Sequence, residues 1–442
     1  MNVTDLAADV LRLVGDRAEA EVTAVSGSSG LTRFANSYIH QNVAEDAVAV
    51  ALKVVVDGRV SAANTNNLQS ESLARLVDAT IEAARLQPVD EQWPGLSSPA
   101  SVGDVDHYDE ATAQASPAER ADKVRKFVTA GEGMLAAGYC DTVGEHVAYA
   151  NTNGHTALGR VSRATLDGIH QTPTSAGSAH AASVRLVEVD AAAAGALAAD
   201  RARRSVGAFD NKPGEYEVVL APECVASIAV FLGVYGFNAK THQEGQSFVR
   251  LGEQQFDRRI DLVDDVTDPR ALAVGFDSEG TVKRRVELVA AGVSSSLAHD
   301  RRTAARTGTE STGHGAPGSE VWGPIPSNMF VCGDGESVES MISSVERGLY
   351  VAAFNYCRVV EPKSLVVTGV TRNGTFMIEN GRITGAVTNM RFTQSFVGSL
   401  GAGRVLGIGD DARHADSEFG PGMVHAPTLH LAAWNFTGGA SG

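Results

Sequence analysis

The chain has 442 residues, 53 acidic against 37 basic side chains, a formal net charge of −16, and 43% hydrophobic and 20% charged residues. That length allows two or three domains with ample core-forming material, and the composition excludes global disorder. The acidic field opposes binding to nucleic acid and to anionic membranes, and the densest basic clusters, Arg201 to Arg204 and Lys283 to Arg285, are too short to override it.

Cys140, Cys224, Cys332 and Cys357 are scattered and form no C-x-x-C pair, which excludes a zinc ribbon or a thioredoxin-like site and fits a reduced, cytoplasmic chain. The N-terminal stretch MNVTDLAADVLRLVGDRAEAE carries acids where a secretory leader places lysine or arginine. The longest uncharged apolar run, residues 224–237, is shorter than the roughly 20 residues a membrane helix needs and reads as a buried core helix.

In chain order, Leu6, Val10, Leu11 and Val14 share one face of a helix over residues 3–14, capped near Thr4 or Asp5 and ended by Gly15. EVTAVS, LTRFANSYIHQNVA and AVAVALKVVV read as strands, and Asp57-Gly58 turns the last of them into RVSAAN. An amphipathic helix follows over residues 70–86, then a loop to Tyr108. Ser116-Pro117-Ala118-Glu119 is a capping box with proline at the first helical position, opening a helix to about residue 137. Two strands, residues 140–149 and 155–170, turn at Asn153-Gly154. Ala-Asn-Thr-Asn occurs at residues 63–66 and again at 150–153, which suggests a duplicated helix-plus-hairpin unit. An alanine-rich helix over residues 190–204 leads into Asp210-Asn211-Lys212-Pro213-Gly214, a turn-forming cluster that marks the domain boundary. Beyond it come the strand EYEVVLA, the apolar helix, short β-like runs with glycine-rich turns, and a helix over residues 336–348. The fold class is α+β: an N-terminal domain, residues 1–210, of helices packed on a mainly antiparallel sheet, and a β-rich C-terminal domain, residues 211–442.

Spacing alone builds no active site. No G-x-S-x-G elbow or phosphate loop occurs, and Gly27-Ser28-Ser29-Gly30 and Gly398-Ser399-Leu400-Gly401 read as turns at strand ends. A zinc hydrolase needs two or three imidazole, carboxylate or thiolate ligands, typically two from one helix. None of Glu145-His146, His242-Gln243-Glu244, His425 with His430, or Thr312-Gly313-His314-Gly315 supplies that pattern, and Asp264-Asp265 and Asp410-Asp411 read as capping or solvated acids. No catalytic, metal or cofactor-binding residue is assigned from these motifs.

Whole blocks are more informative. Residues 31–42, LTRFANSYIHQN, and residues 58–85, GRVSAANTNNLQSESLARLVDATIEAAR, resemble the TldD/PmbA (TldE) metallopeptidase family. The likeness continues through Gly245-Gln246-Ser247-Phe248, Leu262-Val263-Asp264-Asp265, Phe276-Asp277-Ser278-Glu279-Gly280-Thr281, Ser311-Thr312-Gly313-His314, residues 344–351 and Met377-Ile378-Glu379-Asn380-Gly381. The resemblance implies two-domain subunits that pair around an enclosed cavity. One branch of the family carries a His-Glu-x-x-x-His metal motif in the helix opening the C-terminal domain; the PmbA/TldE branch lacks it. Here that helix reads CVASIAVFLGVYGF, without His, Asp or Glu between Cys224 and Phe237, so the chain resembles the PmbA/TldE type.

The expectation is a non-catalytic subunit of a heteromeric metallopeptidase that cleaves linear or leader-type peptides in an enclosed chamber. It would have no cofactor of its own, zinc in a TldD-like partner, and no nucleic-acid or membrane partner. Two alternatives stand beside it: a peptide-binding accessory homo-oligomer, and a stand-alone peptidase using a site assembled from distant residues such as His242, His314, His425 and Asp264.

Overall fold

The computed structural model describes residues 2–439 except Asp104, Asp334, Glu418, Gly420, Pro421 and Gly422. Its N-terminal part contains α1 (Val3–Val14), β1 (Glu19–Ala35), β2 (Tyr38–Val56), β3 (Arg59–Thr65), α2 (Ser70–Leu86), the short α3 (Glu110–Ala113), α4 (Pro117–Ala130), β4 (Leu135–Asn151), β5 (Thr156–Gln171), β6 (Ala176–Ser183) and α5 (Ala191–Arg204). The six strands form one antiparallel sheet in the order β3-β2-β1-β4-β5-β6.

That order is a duplication. A helix, three meandering strands and a second helix (α1-β1-β2-β3-α2) recur as α4-β4-β5-β6-α5, with the two innermost strands, β1 and β4, paired antiparallel. The repeated Ala-Asn-Thr-Asn does not mark it, because one copy ends β3 and the other ends β4, positions that are not equivalent in the two units. Each helix pair covers its own half of one sheet face. Val10, Val14, Val77 and Ile81 pack on Val22, Val50 and Leu52, while Val124, Phe127 and Ala198 pack on Phe34, Cys140 and Leu166.

Local chemistry sets these elements. Ser116 accepts from the backbone N–H of Glu119, whose carboxylate accepts from that of Ser116, closing the capping box of α4. The first helix is capped by Asn2 rather than by Thr4 or Asp5, since the Asn2 side chain accepts from the Thr4 N–H at 2.9 Å. LTRFANSYIHQNVA, expected as one strand, contains a turn: Asn36 and Ser37 adopt φ of 50° and 65° and reverse β1 into β2. Gly27-Ser28-Ser29-Gly30, expected as a turn, lies inside the continuous strand β1.

The C-terminal part opens with β7 (Gly214–Leu220) and the buried helix α6 (Pro222–Tyr235), followed by β8 (Asp261–Asp264), β9 (Val286–Ala290), β10 (Val293–Ser294), β11 (Met329–Cys332), β12 (Arg347–Glu361), β13 (Val366–Glu379), β14 (Arg382–Ala386), β15 (Met390–Ser395), β16 (Val405–Ile408), β17 (Arg413–His414), β18 (Val424–Ala426) and β19 (Leu429–Gly439). The helix expected over residues 336–348 is shorter, Val338–Ser344, because the chain enters β12 at Arg347. One sheet runs β10-β9-β8-β11-β18-β17. The other runs β12-β7-β19-β15-β13-β14, and its additional β12–β13 pairing closes five of its strands into a ring. The largest core lies between these sheets and α6, where Phe231, Phe392, Phe396 and Trp434 are buried. No helix among the described residues is long and apolar enough to cross a membrane.

Candidate functional site

The N-terminal turn of α6 meets the outer strands of the N-terminal sheet. Pro222 occupies the first helical position, where a missing N–H costs nothing, and brings Glu223 into the first turn. Glu223 is 7% exposed. Its carboxylate accepts from Arg413 Nη2 at 2.9 Å and stands 3.6 Å from Arg201 Nη2. Arg201 comes from α5, in the N-terminal part, and also donates to the Ser178 carbonyl of β6 at 2.8 Å. Burial alone would push the Glu223 carboxyl up; Arg413 and Arg201 overcome it and hold it at about 2. A buried carboxylate between two guanidiniums therefore bolts the two parts of the chain together.

Beside this cluster lies a cavity of about 220 Å³, lined by Asp167, His180, Glu223, Ser227, Arg372 and Asp416 among others. Asp167 on β5 and His180 on β6 are direct cross-strand partners. Asp416 follows β17. Ligand-type atoms of Asp167, His180 and Asp416 all lie within 4.8 Å of one another. The Asp416 carboxyl is pushed up to about 6, first by burial and then by the charges of Asp167 and Glu223, with His180 opposing. The strand β6 approaches α5 closely because Gly177 has no side chain; a Cβ there would stand 2.2 Å from the Ala198 carbonyl oxygen. Arg372 and Asn373 also line a larger cleft of about 1190 Å³ between the two parts, bordered by Ser175, Tyr356, Thr371 and Arg391.

The distant residues considered from sequence gather only in part. His314 Nε2 stands 3.1 Å from Asp264 Oδ1, and its Nδ1 lies 2.8 Å from Thr312 Oγ1. The second oxygen of Asp264 accepts from the backbone N–H groups of Ser327 and Asn328 at 2.7 and 2.8 Å, so this acid secures a loop. His425 packs against Phe330 and His414, and burial first, then the charges of His414 and Arg270, pushes it down to about 4. His242 sits on the short helix Ala239–Gln243. Asp411 caps a turn by accepting from both the N–H and the hydroxyl of Thr428.

Spacing missed Asp167, His180, Glu223 and Asp416. Glu223 was left out because the apolar run begins at Cys224, one residue later. Asp167 and His180 become neighbours only once β5 and β6 pair, and AGSAHAAS lacks the β-branched residues that announce a strand.

This architecture defines an α+β protein in which a duplicated antiparallel sheet abuts a β-rich C-terminal part through the helix near the start of the latter. The PmbA/TldA metallopeptidase C-terminal domain model matches residues 213–438, and the PmbA/TldA metallopeptidase domain 1 model matches residues 20–84. The chain belongs to the TldD/PmbA metallopeptidase family. Metalloprotease MJ0996 of Methanocaldococcus jannaschii is 26% identical over 198 residues, a match that spans 42% of this chain and 42% of that relative. Among solved structures, TldE from Thermococcus kodakarensis superposes with a TM-score of 0.86 at 17% identity, covering 98% of this chain and 99% of that one. A protein from Thermotoga maritima described as a candidate modulator of a DNA gyrase has a TM-score of 0.84 at 17% identity, with the same coverage.

The metal implied by the family name does not fit α6. Between Pro222 and Tyr235 the helix has no histidine, so it cannot supply the two imidazoles of His-Glu-x-x-x-His, and its one acid is Glu223. The glutamate itself is tied to two arginines, which removes the free carboxylate that a general base requires.

Proposed function

We propose that this chain is a non-catalytic TldE/PmbA-like subunit that pairs with a metal-bearing TldD-like subunit to form a metallopeptidase. The pair cleaves linear or leader-type peptides in an enclosed chamber, and the hydrolytic zinc belongs to the partner. The observation that carries this reading is α6 itself, which has no histidine over Pro222–Tyr235 and whose single acid, Glu223, is neutralised by Arg201 and Arg413. Four free cysteines, three of them buried, agree with a reducing, cytoplasmic setting.

The shape of β2 supports assembly. Residues 38–47 are exposed throughout, and their outer edge has no strand partner among the described residues, since β3 pairs only with residues 50–56. An unpaired edge of that length is a site for another chain. The 1190 Å³ cleft gives an extended peptide room beside polar groups of β12 and β13.

Co-expression with a TldD-like protein is expected to give a stable complex whose peptidase activity disappears when the partner's metal ligands are replaced. Chelator-sensitive cleavage of peptides by this chain alone would overturn the reading. A homo-oligomer that binds peptide and ignores TldD-like proteins, measured by light scattering, would favour the accessory-protein alternative, for which the same exposed edge of β2 speaks.

A further inference from the structure

We propose that Asp167, His180 and Asp416 form a binding site for one divalent transition-metal cation at the seam between the two domains. The site is distinct in ligands and position from the hydrolytic motif of α6, and the proposal stands independently of the subunit reading.

Geometry comes first. Three donors converge from three segments, β5, β6 and the loop after β17, with their ligand atoms within 4.8 Å of one another and Asp167 Oδ2 3.5 Å from His180 Nδ1. Ligands held about 2.0–2.2 Å from a tetrahedral cation stand roughly 3.3–3.6 Å apart, so modest side-chain rotations close the set.

His180 supplies the second observation. Its side chain is 2% exposed, yet among the described residues neither ring nitrogen has a hydrogen-bond partner. Buried polar groups are nearly always satisfied, and an imidazole left bare beside two carboxylates has a ready partner in a cation. Aspartates facing each other across a small cavity repel, and the neighbouring acid Glu223 is already neutralised by Arg201 and Arg413, so it competes little for the ion. Arg372, exposed at the cavity wall, is the cation that faces the site from β13.

The donor set selects the ion. One imidazole nitrogen with two carboxylates suits Zn²⁺ or Mn²⁺ better than Mg²⁺ or Ca²⁺, which prefer all-oxygen shells. Asp167 remains partly exposed at the cavity, which adjoins the larger cleft at Arg372 and Asn373, so an ion has a path in. Because β5 and β6 belong to the duplicated sheet and Asp416 to the β-rich domain, the bound ion would cross-link the two domains.

The test is titration of tag-free, chelator-stripped full-length chain with Zn²⁺ and with Mn²⁺ by calorimetry, with elemental analysis after dialysis and Mg²⁺ as the control. One equivalent per chain is expected, with a raised melting temperature. His180→Ala and Asp416→Asn should each weaken binding at least tenfold, and Co²⁺ substitution should give a visible absorption band that His180→Ala abolishes. Asp416→Asn preserves shape and charge-independent packing, so it decides the matter if His180→Ala folds poorly. Absence of stoichiometric metal, or binding unchanged in Asp416→Asn, overturns the proposal. Either result leaves the partner-dependent cleavage experiment untouched, and failure of that experiment leaves this titration untouched.

Discussion

Helix α6, almost wholly apolar, and the distal half of β2, where Ile39 and Val43 stand among polar residues, meet opposite environments. In α6, twelve of fourteen residues are buried, down to Pro222 and Glu223 at its start. In β2, Tyr38, Ile39 and Val43 stand 60%, 40% and 41% exposed on a stretch that pairs with β1 but extends past its outer neighbour β3. The first region has no imidazole and is given to packing and a buried ion network. The second keeps an outer edge with no strand partner among the described residues. If that edge serves assembly as proposed, stability and assembly reside in different parts of the molecule, and substitutions should separate them.

The sharpest way to break the interior side is Arg201→Ala. It leaves Glu223 buried with one guanidinium instead of two and removes the bond to the Ser178 carbonyl, and stripping one partner from a buried ion pair costs about 3–5 kcal/mol. Urea denaturation should show a loss of that order; a loss under about 1 kcal/mol would mean that Arg413 alone satisfies the carboxylate. Phe231→Ala is expected to follow closely. Its ring is 2% exposed and packs against Tyr235, Phe396 and Phe419, so the cavity left should cost about 3–5 kcal/mol.

The same contrast explains what could be read without coordinates. Signals confined to a few residues were legible: α2 falls on the expected residues 70–86, the Ser116 capping box opens α4, and Asp57-Gly58 turns β2 into β3. Signals that depend on distant partners were not. Asn36-Ser37 reverses the chain without glycine, and the Asn-Ser pair, a weaker turn signal, was passed over inside LTRFANSYIHQNVA. Gly27-Ser28-Ser29-Gly30 looked like a turn, but its glycine content serves packing: a Cβ on Gly30 would stand 2.2 Å from Arg120 Nη1, which α4 lays across the strand. The empty metal helix was legible as a missing motif. Glu223, with its two arginines from residues 201 and 413, and the Asp167, His180 and Asp416 cluster exist only through tertiary pairing.

A smaller effect separates the buried acids by sign. Glu223, held at about 2 against an ordinary 4.5, contributes stability that is complete above 4.5 and lost as pH falls toward 2. Glu279 behaves oppositely: burial, with the charge of Asp277 adding, raises its carboxyl to about 8, so folding takes up a proton and stability declines as pH rises from 4.5 through 8. Denaturation midpoints at pH 5, 7 and 9 should fall in that order by this contribution, and Glu279→Gln should flatten the slope. An unchanged slope in the variant would assign the decline to another group.

The smallest effect on stability is expected where the effect on assembly is greatest. Ile39→Lys and Val43→Lys replace exposed side chains on a stretch with no strand partner on its outer edge among the described residues, so each should change unfolding free energy by no more than about 0.5 kcal/mol. A lysine on an edge strand is also a common guard against strand-to-strand pairing. If residues 38–47 are the docking edge, the double variant should melt with the parent protein yet fail to co-elute with a TldD-like partner. A complex that survives both lysines would move the interface off β2 and leave its free edge without an occupant.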